Sequence, residues 1–297
     1  MQQFDPRNKD IKISVNRKLI HRNDAHINVF DSIVQGGDGV WEGLRVYKGK
    51  IFALSRHLTR MYNSAKSLNF ENVPDENYVR SAIRETLQAN NMTDETHIRL
   101  TLTRGVKITS GMDPQLNQDG CTLIVVAEYK KPIYPASGIT LATANIRRNS
   151  PATLDSKIHH NNLLNNILAK IEGNLAGADD AIMLDLDGFV SETNATNIFM
   201  LKNSELHTPT TAACLPGITR ETIMELAQKN NISCTERNIT VKELYEADEV
   251  FTTGTMGELT NVYEIDGKEI SNSQAESLLS KFQKMYLEWA VGQSEII

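Results

Sequence analysis

Apolar and polar residues alternate with a period of two through much of residues 1–130, and this alternation predicts strands. Residues 11–20 and 40–53 each hold two short stretches of this kind around a polar turn, which is typical of β-hairpins. Residues 57–68 instead place apolar side chains at helical spacing, and a second helix is predicted over 75–90. Two more predicted strands read HIRLTLTR and CTLIVVAEY. The pattern therefore predicts a mixed α/β domain.

Residues 131–138 interrupt this pattern with two prolines, a glycine and few apolar residues, so we expect a linker between two domains. Strands and helices then alternate again through residues 139–297, which we expect to form a second α/β domain. A helix is predicted over 160–175, and an amphipathic helix over 273–290 closes the chain. The first of these helices carries one apolar stripe, formed by Leu163, Leu164, Ile167, Leu168 and Ile171. The predicted fold class is α+β, with two mixed α/β domains.

Composition restricts the classes of function. The chain of 297 residues has 40% hydrophobic and 23% charged residues, and its formal net charge of -6 argues against nucleic-acid binding, which needs a basic face. Its first residues, MQQFDPRNKDIKISV, are polar and lack the apolar core of a signal peptide. No stretch approaches the roughly 20 apolar residues that cross a bilayer. We therefore expect a cytoplasmic protein that binds neither nucleic acid nor a membrane.

Cysteine and histidine positions do not suggest a metal site. The three cysteines, Cys121, Cys214 and Cys234, stand far apart and form neither a disulfide framework nor a zinc pattern. His159 and His160 are adjacent, and adjacent side chains point in different directions on a helix or a strand. We expect no bound metal.

Two charged residues in the second half are candidates for chemistry. Lys157 lies just ahead of the predicted helix among small and polar residues; a lysine in a confined site can lose its proton and act as a nucleophile. Glu192 follows the turn of a predicted hairpin, beside small hydrogen-bonding residues, and a buried carboxylate needs a partner. Taken alone, either residue would be interpreted as a solvated surface charge.

Two polar segments could bind an anion. In LPGITR, Gly217 allows a close approach of the backbone, and the N–H groups of Ile218 and Thr219 would begin a helix. In TTGTMGE, small hydroxyl residues around Gly254 can present a nest of N–H groups at the end of a strand. A plain turn and a polar loop are the alternatives.

The order and spacing of these segments resemble the class IV aminotransferases, which have fold type IV. The resemblance is carried by GDGVWEGLRVYKGKIFALSRHLTRMYNSA, ATLDSKIHHNNLLNNILA, DDAIMLDLDGFVSETNATNIFMLK, CLPGITRETIMELA and ADEVFTTGTMGELTNVYEIDG, and it covers nearly the whole chain. It implies two α/β domains with pyridoxal 5'-phosphate (PLP) at their interface, amino-acid and keto-acid substrates, and a homodimer or higher homo-oligomer.

The resemblance also implies roles for individual residues. Lys157 matches the lysine that holds PLP as a Schiff base and transfers the substrate's proton, and Glu192 matches the partner of the pyridine nitrogen. Arg60 matches the arginine that holds the cofactor phosphate, for which its planar fork is suited. Further phosphate contacts match Ile218, Thr219 and Thr255. Arg56, close to Arg60, matches no family role.

The resemblance is closest to the branched-chain amino-acid aminotransferases. Arg99 matches the arginine that accepts the side-chain carboxylate of glutamate, and Trp41 matches an aromatic pocket position. Thr255 and Met256 match the backbone donors to the substrate's α-carboxylate. This predicts transfer between an L-branched-chain amino acid (leucine, isoleucine or valine) and 2-oxoglutarate.

Three pocket positions depart from that pattern. Gly36, His97 and Phe189 each stand where branched-chain enzymes carry a tyrosine. DGVWE and LTRG also resemble the D-amino-acid aminotransferases, although VKITSGMDP lacks their carboxylate-trapping arginine and histidine. A D-amino-acid aminotransferase, an (R)-amine transaminase or an aminodeoxychorismate lyase are the alternatives within the family. A non-enzymatic binding protein would be expected to lose Lys157 or Glu192, and this chain keeps both.

Overall fold

The computed structural model describes residues 3–271 and 277–296. Its strands are β1 (Lys12–Val15), β2 (Lys18–His21), β3 (Gly39–Tyr47), β4 (Lys50–Phe52), β5 (Thr96–Thr103), β6 (Thr122–Tyr129), β7 (Ile139–Arg147), β8 (Asp180–Leu184), β9 (Val190–Thr193), β10 (Asn197–Lys202), β11 (Glu205–Thr208), β12 (Cys234–Glu236), β13 (Glu249–Gly254), β14 (Glu258–Ile265), β15 (Lys268–Glu269) and β16 (Ser294–Ile296). Its helices are α1 (Ser32–Gly36), α2 (Leu54–Ser67), α3 (Glu76–Ala89), α4 (Leu164–Leu175), α5 (Ile218–Lys229), α6 (Val241–Tyr245) and α7 (Leu278–Gly292). The α+β prediction is confirmed.

The chain divides into two compact units. Unit 1 comprises Met1–Lys131, Ile158–Asn162 and Val291–Ile297, and unit 2 comprises Pro132–Lys157 and Leu163–Ala290. The first change of unit, between Lys131 and Pro132, falls within the segment predicted as a linker. The sequence pattern did not predict the two later returns to unit 1.

Unit 1 is an antiparallel sheet covered on one face by helices. The sheet has the strand order β16-β4-β3-β5-β6-β1-β2. Alternate residues of β3, such as Val40, Leu44 and Val46, point into the core. The predicted helices are confirmed: α2 buries Leu58 and Met61 in the same core, and α3 begins at the predicted position because the side chain of its N-cap Asp75 accepts from a backbone N–H.

Two segments from late in the chain complete this sheet. Residues 158–162 run along the edge of β3, where the N–H of Trp41 donates to the carbonyl of His159 at 2.9 Å and the N–H of Asn161 donates to that of Gly39 at 2.8 Å. β16 pairs with β4 at one end of the sheet. Both segments were predicted as part of the C-terminal domain. Edge pairing uses backbone groups, so hydrophobic spacing does not indicate it.

Unit 2 contains a mixed sheet of nine strands. Its order is β12-β11-β10-β13-β14-β7-β8-β9, with β15 paired to β14 off this path. β7 is parallel to both β14 and β8, whereas β8, β9 and the pair β10–β13 are joined by antiparallel ladders. The hydrophobic side chains of β7, β8, β10, β13 and β14 form the core. Residues 273–276 of the predicted last helix lie outside the described residues.

Helix α4 packs against the sheet through its small side chains. Ala169 and Gly173 are buried, and a Cβ on Gly173 would come within 3.2 Å of the Cβ of Ala181 in β8. The apolar stripe predicted from the sequence is exposed instead: Leu164 67%, Ile167 51%, Leu168 47%, Ile171 48% and, one turn further, Leu175 84%. The close approach needs small residues, so the large apolar ones lie on the opposite side. Within this chain the stripe is therefore a surface.

No helix in residues 3–271 or 277–296 is both long and apolar enough to cross a membrane. In the same part of the chain, no group of three or more histidine, cysteine, aspartate or glutamate side chains could hold a metal ion.

Candidate active site

Glu192 lies at the centre of a buried polar network in unit 2. Arg148 Nε donates to its Oε1 at 2.6 Å, and both side chains are about 95% buried. The side-chain amide of Asn197 and the backbone N–H of Leu215 each donate to its Oε2 at 3.3 Å. Burial raises the pKa of Glu192 above its ordinary value, although Arg148 opposes the shift. The carboxylate is thus fixed in orientation and paired with one cation.

A tight hairpin places Glu192 in this network. Between β8 and β9 the side chain of Asp185 accepts from the N–H groups of Asp187 and Phe189, and Gly188 adopts a φ of +87° that L side chains rarely adopt. Glu192 then pairs with Met183 across the ladder. The hairpin was predicted from the sequence, and the structure confirms it.

Gly217 stands where the chain enters helix α5. A Cβ at this position would lie 2.1 Å from Oδ1 of Asn197, so only glycine fits against this side chain. Helix α5 begins without a side-chain cap, which leaves the N–H groups of Ile218 and Thr219 without a partner inside the helix. The hydroxyl of Thr219 is also buried and has no partner in the described part of the chain. These donors form a cradle for an anion.

The turn after β13 contains Thr255 and Met256, both half-buried. It is a tight connection, in which Gly254 of β13 pairs directly with Glu258 of β14. A Cβ on Gly254 would lie 3.1 Å from Cγ2 of Thr196, next to the hairpin that carries Glu192. The turn therefore follows a strand whose neighbour β10 begins with Asn197.

Lys157 has a different environment from the confined one that the sequence suggested. Its side chain is 46% exposed, and its Nζ lies 3.7 Å from Oδ2 of Asp155. The N–H of Lys157 also donates to Oδ1 of Asp155 at 3.0 Å. No hydrogen bond between described residues joins Lys157 to Glu192. Asp155 is thus the observed partner of this ammonium group.

Arg60 lies in unit 1, where its partner is Glu42 of β3. Its Nε donates to Oε1 of Glu42 at 2.8 Å and its Nη2 to Oε2 at 2.6 Å. His57 Nδ1 lies 2.7 Å from Oε2 of the same carboxylate, and His159 Nδ1 lies 3.3 Å from Oε1. Burial opposes ionisation of Glu42, but Arg60 and His159 outweigh it and hold the pKa of Glu42 well below its ordinary value.

Arg99 and Trp41 lie together on neighbouring strands of unit 1. The guanidinium carbon of Arg99 is 3.9 Å from the centre of the Trp41 ring, and Nη2 donates to Oδ1 of Asn161 at 2.8 Å. Burial lowers the pKa of Arg99, and no salt bridge to it is formed by a described carboxylate. His97 lies two residues earlier on the same face; burial lowers its pKa to about 3 and its Nε2 has no partner in the described residues. An uncharged imidazole therefore lies near a cation.

The structure brings together some of the predicted residues in each unit. In unit 1, His159 links Arg60 and Trp41, because it contacts Nη2 of Arg60 at 3.4 Å and its ring centre lies 4.2 Å from that of Trp41. In unit 2, Asn197 links Glu192 to Gly217. Of the departures, Gly36 ends α1 and a Cβ there would meet no atom within 4 Å.

Sequence reasoning missed the residues that hold the predicted ones. Arg148, Asn197, Glu42, His57 and His159 were assigned no role. Glu42 belongs to the quoted motif VWEGLR and Asn197 to TNATN, so their motifs were available signals. Arg148 follows β7 with no distinguishing pattern, and only the fold shows that it meets a carboxylate 44 residues later.

Comparison with known proteins now decides the family. A family model described as Amino-transferase class IV matches residues 39–265. The chain belongs to the class IV aminotransferases. A D-alanine aminotransferase of Bacillus licheniformis is 31% identical over 92% of this chain and 95% of its own, so the resemblance to the family seen in the sequence is confirmed.

Other class IV aminotransferases similar to this chain carry branched-chain names. Branched-chain-amino-acid aminotransferase-like protein 2 of Arabidopsis thaliana is 57% identical over 95% of this chain, which spans only 50% of the length of that relative. The branched-chain-amino-acid aminotransferase of Pseudomonas aeruginosa is 32% identical over 94% of this chain and 92% of its own.

Solved structures of such enzymes share the fold. The branched-chain aminotransferase of Thermoproteus uzoniensis, crystallised with norvaline, superimposes with a TM-score of 0.87 at 28% identity, over 96% of each chain. A branched-chain amino acid aminotransferase from the organism abbreviated T.th., complexed with N-(5'-phosphopyridoxyl)-L-glutamate, gives a TM-score of 0.87 at 30% identity, over 96% of this chain and 95% of that one.

Proposed function

We propose that this chain is a PLP-dependent aminotransferase that moves an amino group between an amino acid and a keto acid. The observation that carries the proposal is the buried, oriented carboxylate of Glu192 in the same unit as the uncapped start of α5. A carboxylate of this kind suits a protonated ring nitrogen, and uncapped helix N–H groups suit a phosphate. Family membership and the neighbour solved with a phosphopyridoxyl-glutamate compound support the choice of cofactor.

The residues of unit 2 fit PLP by their chemistry. Gly217 leaves a space that any side chain would fill, and the buried hydroxyl of Thr219 lacks a partner among the described residues. Ile218, Thr219 and Thr255 would donate to the phosphate, while Glu192 would accept from the ring nitrogen. When bound, the cofactor withdraws electrons from the substrate's α-carbon.

Lys157 would hold the cofactor covalently and move the substrate's proton. Its Nζ must be uncharged to take a proton from the α-carbon, whereas in this structure it lies near Asp155. Release from Asp155 is therefore part of the proposal. Glu192, kept in place by Arg148, would keep its negative charge opposite the ring nitrogen during the reaction.

The role proposed for Arg60 rests on the resemblance alone. In the structure its guanidinium donates to Glu42, and this carboxylate also contacts His57 and His159. A phosphate contact would have to be made while Glu42 still orients the side chain. The fork of arginine can serve both partners because it carries five donors.

Substrate preference is proposed to be an L-branched-chain amino acid with 2-oxoglutarate as acceptor. Relatives with branched-chain names support the donor. Arg99 supports a dicarboxylate acceptor, because it is a half-buried cation without a described carboxylate partner, stacked on Trp41. Thr255 and Met256 would donate their backbone N–H groups to the α-carboxylate.

The cofactor proposal is tested by trapping. Borohydride treatment of the PLP-loaded chain should fix the cofactor to the peptide that contains Lys157, and Lys157→Ala should abolish the fixation. Lys242→Ala, which removes an 82% exposed lysine in the same unit, is the control and should be labelled normally. Covalent labelling of Lys157→Ala at the wild-type level would show that the lysine assignment is wrong.

Substrate is tested with a panel of L-amino acids, D-amino acids and chiral amines, each with 2-oxoglutarate or pyruvate. Turnover of leucine, isoleucine or valine with 2-oxoglutarate is expected. Relatives named D-alanine aminotransferase make D-alanine the informative competitor. Turnover of D-amino acids or amines alone would overturn the branched-chain proposal and leave the cofactor proposal intact.

We also propose that the chain forms a homodimer through α4. The stripe Leu164, Ile167, Leu168, Ile171 and Leu175 is a continuous apolar surface, and soluble monomers rarely expose one. Ile167→Glu together with Ile171→Glu should shift the chain to monomers in sedimentation velocity. Leu186→Glu changes a 67% exposed leucine on a hairpin and should leave the mass unchanged. A monomeric wild-type chain would refute the proposal.

A further inference from the structure

The ring of Tyr134 lies directly against Gly257, the last residue of the turn that follows β13. A Cβ on Gly257 would lie 2.5 Å from Cδ2 and 2.6 Å from Cε2 of this ring, far inside van der Waals contact. Gly257 has no unusual φ that would call for glycine. The absence of a side chain at position 257 is therefore explained by the approach of Tyr134.

The other end of Tyr134 is anchored. Its hydroxyl donates to Oδ2 of Asp180, a residue 3% exposed at the start of β8. The other oxygen of Asp180 accepts from the side-chain amide of Asn194 at 3.2 Å and lies 3.2 Å from Nζ of Lys170. Burial and the nearby carboxylate of Asp180 raise the pKa of Tyr134, so its hydroxyl stays protonated and donates.

A second contact joins the same two segments. The N–H of Ile133 donates to the carbonyl of Met256 at 3.2 Å. Residues 133 and 134 thus hold the turn at successive positions, one through a backbone bond and one through an aromatic face. Beyond the turn, the hydroxyl of Thr260 donates to the carbonyl of Gly257 at 2.8 Å. The carbonyls of Met256 and Gly257 are both bonded, which fixes the orientation of the peptide planes between them.

We infer that Tyr134 is a positioning residue that sets the turn 255–257 for binding of the substrate's α-carboxylate. This inference rests on the proposed function, in which the N–H groups of Thr255 and Met256 bind that carboxylate. Peptide N–H groups bind an anion well only when they converge before it arrives. Tyr134 supplies this order from outside the turn, and it touches neither the proposed lysine nor Glu192 in any described hydrogen bond.

The first experiment measures the turn itself. Hydrogen exchange of the backbone amides at 255–258 is followed by mass spectrometry in the PLP-loaded wild type, Tyr134→Ala and Tyr134→Phe. Tyr134→Ala should exchange faster at these amides, whereas Tyr134→Phe, which keeps the ring on Gly257, should stay near wild type. Tyr245→Phe, which removes another tyrosine–aspartate hydrogen bond in unit 2, is the control. Unchanged exchange in Tyr134→Ala overturns the inference whatever the chemistry of the enzyme.

The second experiment separates binding from chemistry. At saturating PLP, Tyr134→Ala should raise the KM for the amino-acid substrate by about tenfold and change kcat by less than about threefold, since uniform binding is lost. Tyr134→Phe should restore the KM to near wild type. Loss of thermal stability with an unchanged KM would show a merely structural residue. If the wild type does not transaminate, the proposed function fails, while the exchange result still decides whether Tyr134 orders the turn.

A double variant guards against misfolding of the single ones. Gly257→Ala should raise the KM because its Cβ collides with the ring. In Tyr134→Ala/Gly257→Ala the ring is gone and the new methyl group has room, so the combined defect should be smaller than the product of the two single defects. Independent, multiplying defects would show that the two positions do not contact each other in solution.

Discussion

Arg148 and Glu192 form an ion pair of 2.6 Å in which both side chains are about 95% buried. The guanidinium reaches further, to Oδ1 of Asn165 in α4 at 3.1 Å. One arginine thus connects the end of β7, the hairpin strand β9 and helix α4. The pair fixes the carboxylate that is proposed to meet the cofactor ring.

Removing Arg148 should destabilise unit 2 strongly. Arg148→Met leaves Glu192 buried without a cation, a change that typically costs about 3 to 5 kcal/mol of unfolding free energy. Urea denaturation of the chain without cofactor measures this cost. Arg148→Met/Glu192→Gln removes both charges and should recover most of the loss. A single variant as stable as wild type would show that the ion pair is not formed in solution.

Gly217→Ala should weaken cofactor binding. The new Cβ would lie 2.1 Å from Oδ1 of Asn197, so either this side chain or the start of α5 must move. Because Asn197 also donates to Glu192, both proposed cofactor contacts would shift together. Fluorescence titration with PLP should show an affinity reduced by about tenfold or more, equivalent to at least about 1.4 kcal/mol. Gly292→Ala, where a Cβ meets nothing within 4 Å, is the control.

Arg99 should determine the preference for a dicarboxylate acceptor. Arg99→Lys keeps the charge but loses the planar fork, so the KM for 2-oxoglutarate should rise by about tenfold or more. The KM for a keto acid with one carboxylate should change little. The ratio of the two KM values is the measurement, because it cancels general damage to the enzyme. A parallel rise for both acceptors would contradict the assignment of Arg99.

His97 should make the chain less stable in mild acid. Burial lowers its pKa to about 3 in the folded chain from a model value of 6.5, so between these values the unfolded chain binds the extra proton. The contribution of His97 to stability is therefore complete above pH 6.5 and is lost as the pH falls towards 3. His97→Gln should flatten the fall in unfolding free energy between pH 6.5 and 4 in urea titrations. His26→Gln, an exposed histidine, should leave the curve unchanged.

Local patterns predicted most elements of the fold. Helix α3 shows why: its N-cap Asp75 and its apolar spacing are both local signals, and both were read correctly. Helix α4 shows the opposite case. Its apolar stripe has the spacing of a core helix, yet Ala169 and Gly173 contact the sheet, because close packing is decided by the shape of the partner surface and not by hydrophobicity alone.

The candidate site was predictable only in part. Glu192 and Gly217 stand in recognisable motifs, and the structure brings them together through Asn197. The partners of those motif residues were hidden, since Arg148 meets Glu192 through a contact far apart in the sequence. Lys157 was expected in a confined position, but its environment depends on Asp155 and on the path of the chain, which spacing does not encode.

The last described strand has a consequence for how the chain is made. Glu295 of β16 accepts from the N–H of Ser55 and from Nη1 of Arg80, both at 2.7 Å, at the edge of a sheet whose other strands emerge from the ribosome first. Synthesis proceeds at about 5 to 20 residues per second, and domains otherwise tend to fold from the N-terminus onward. Unit 1 must therefore wait, with one sheet edge uncovered, until nearly all of unit 2 has been translated.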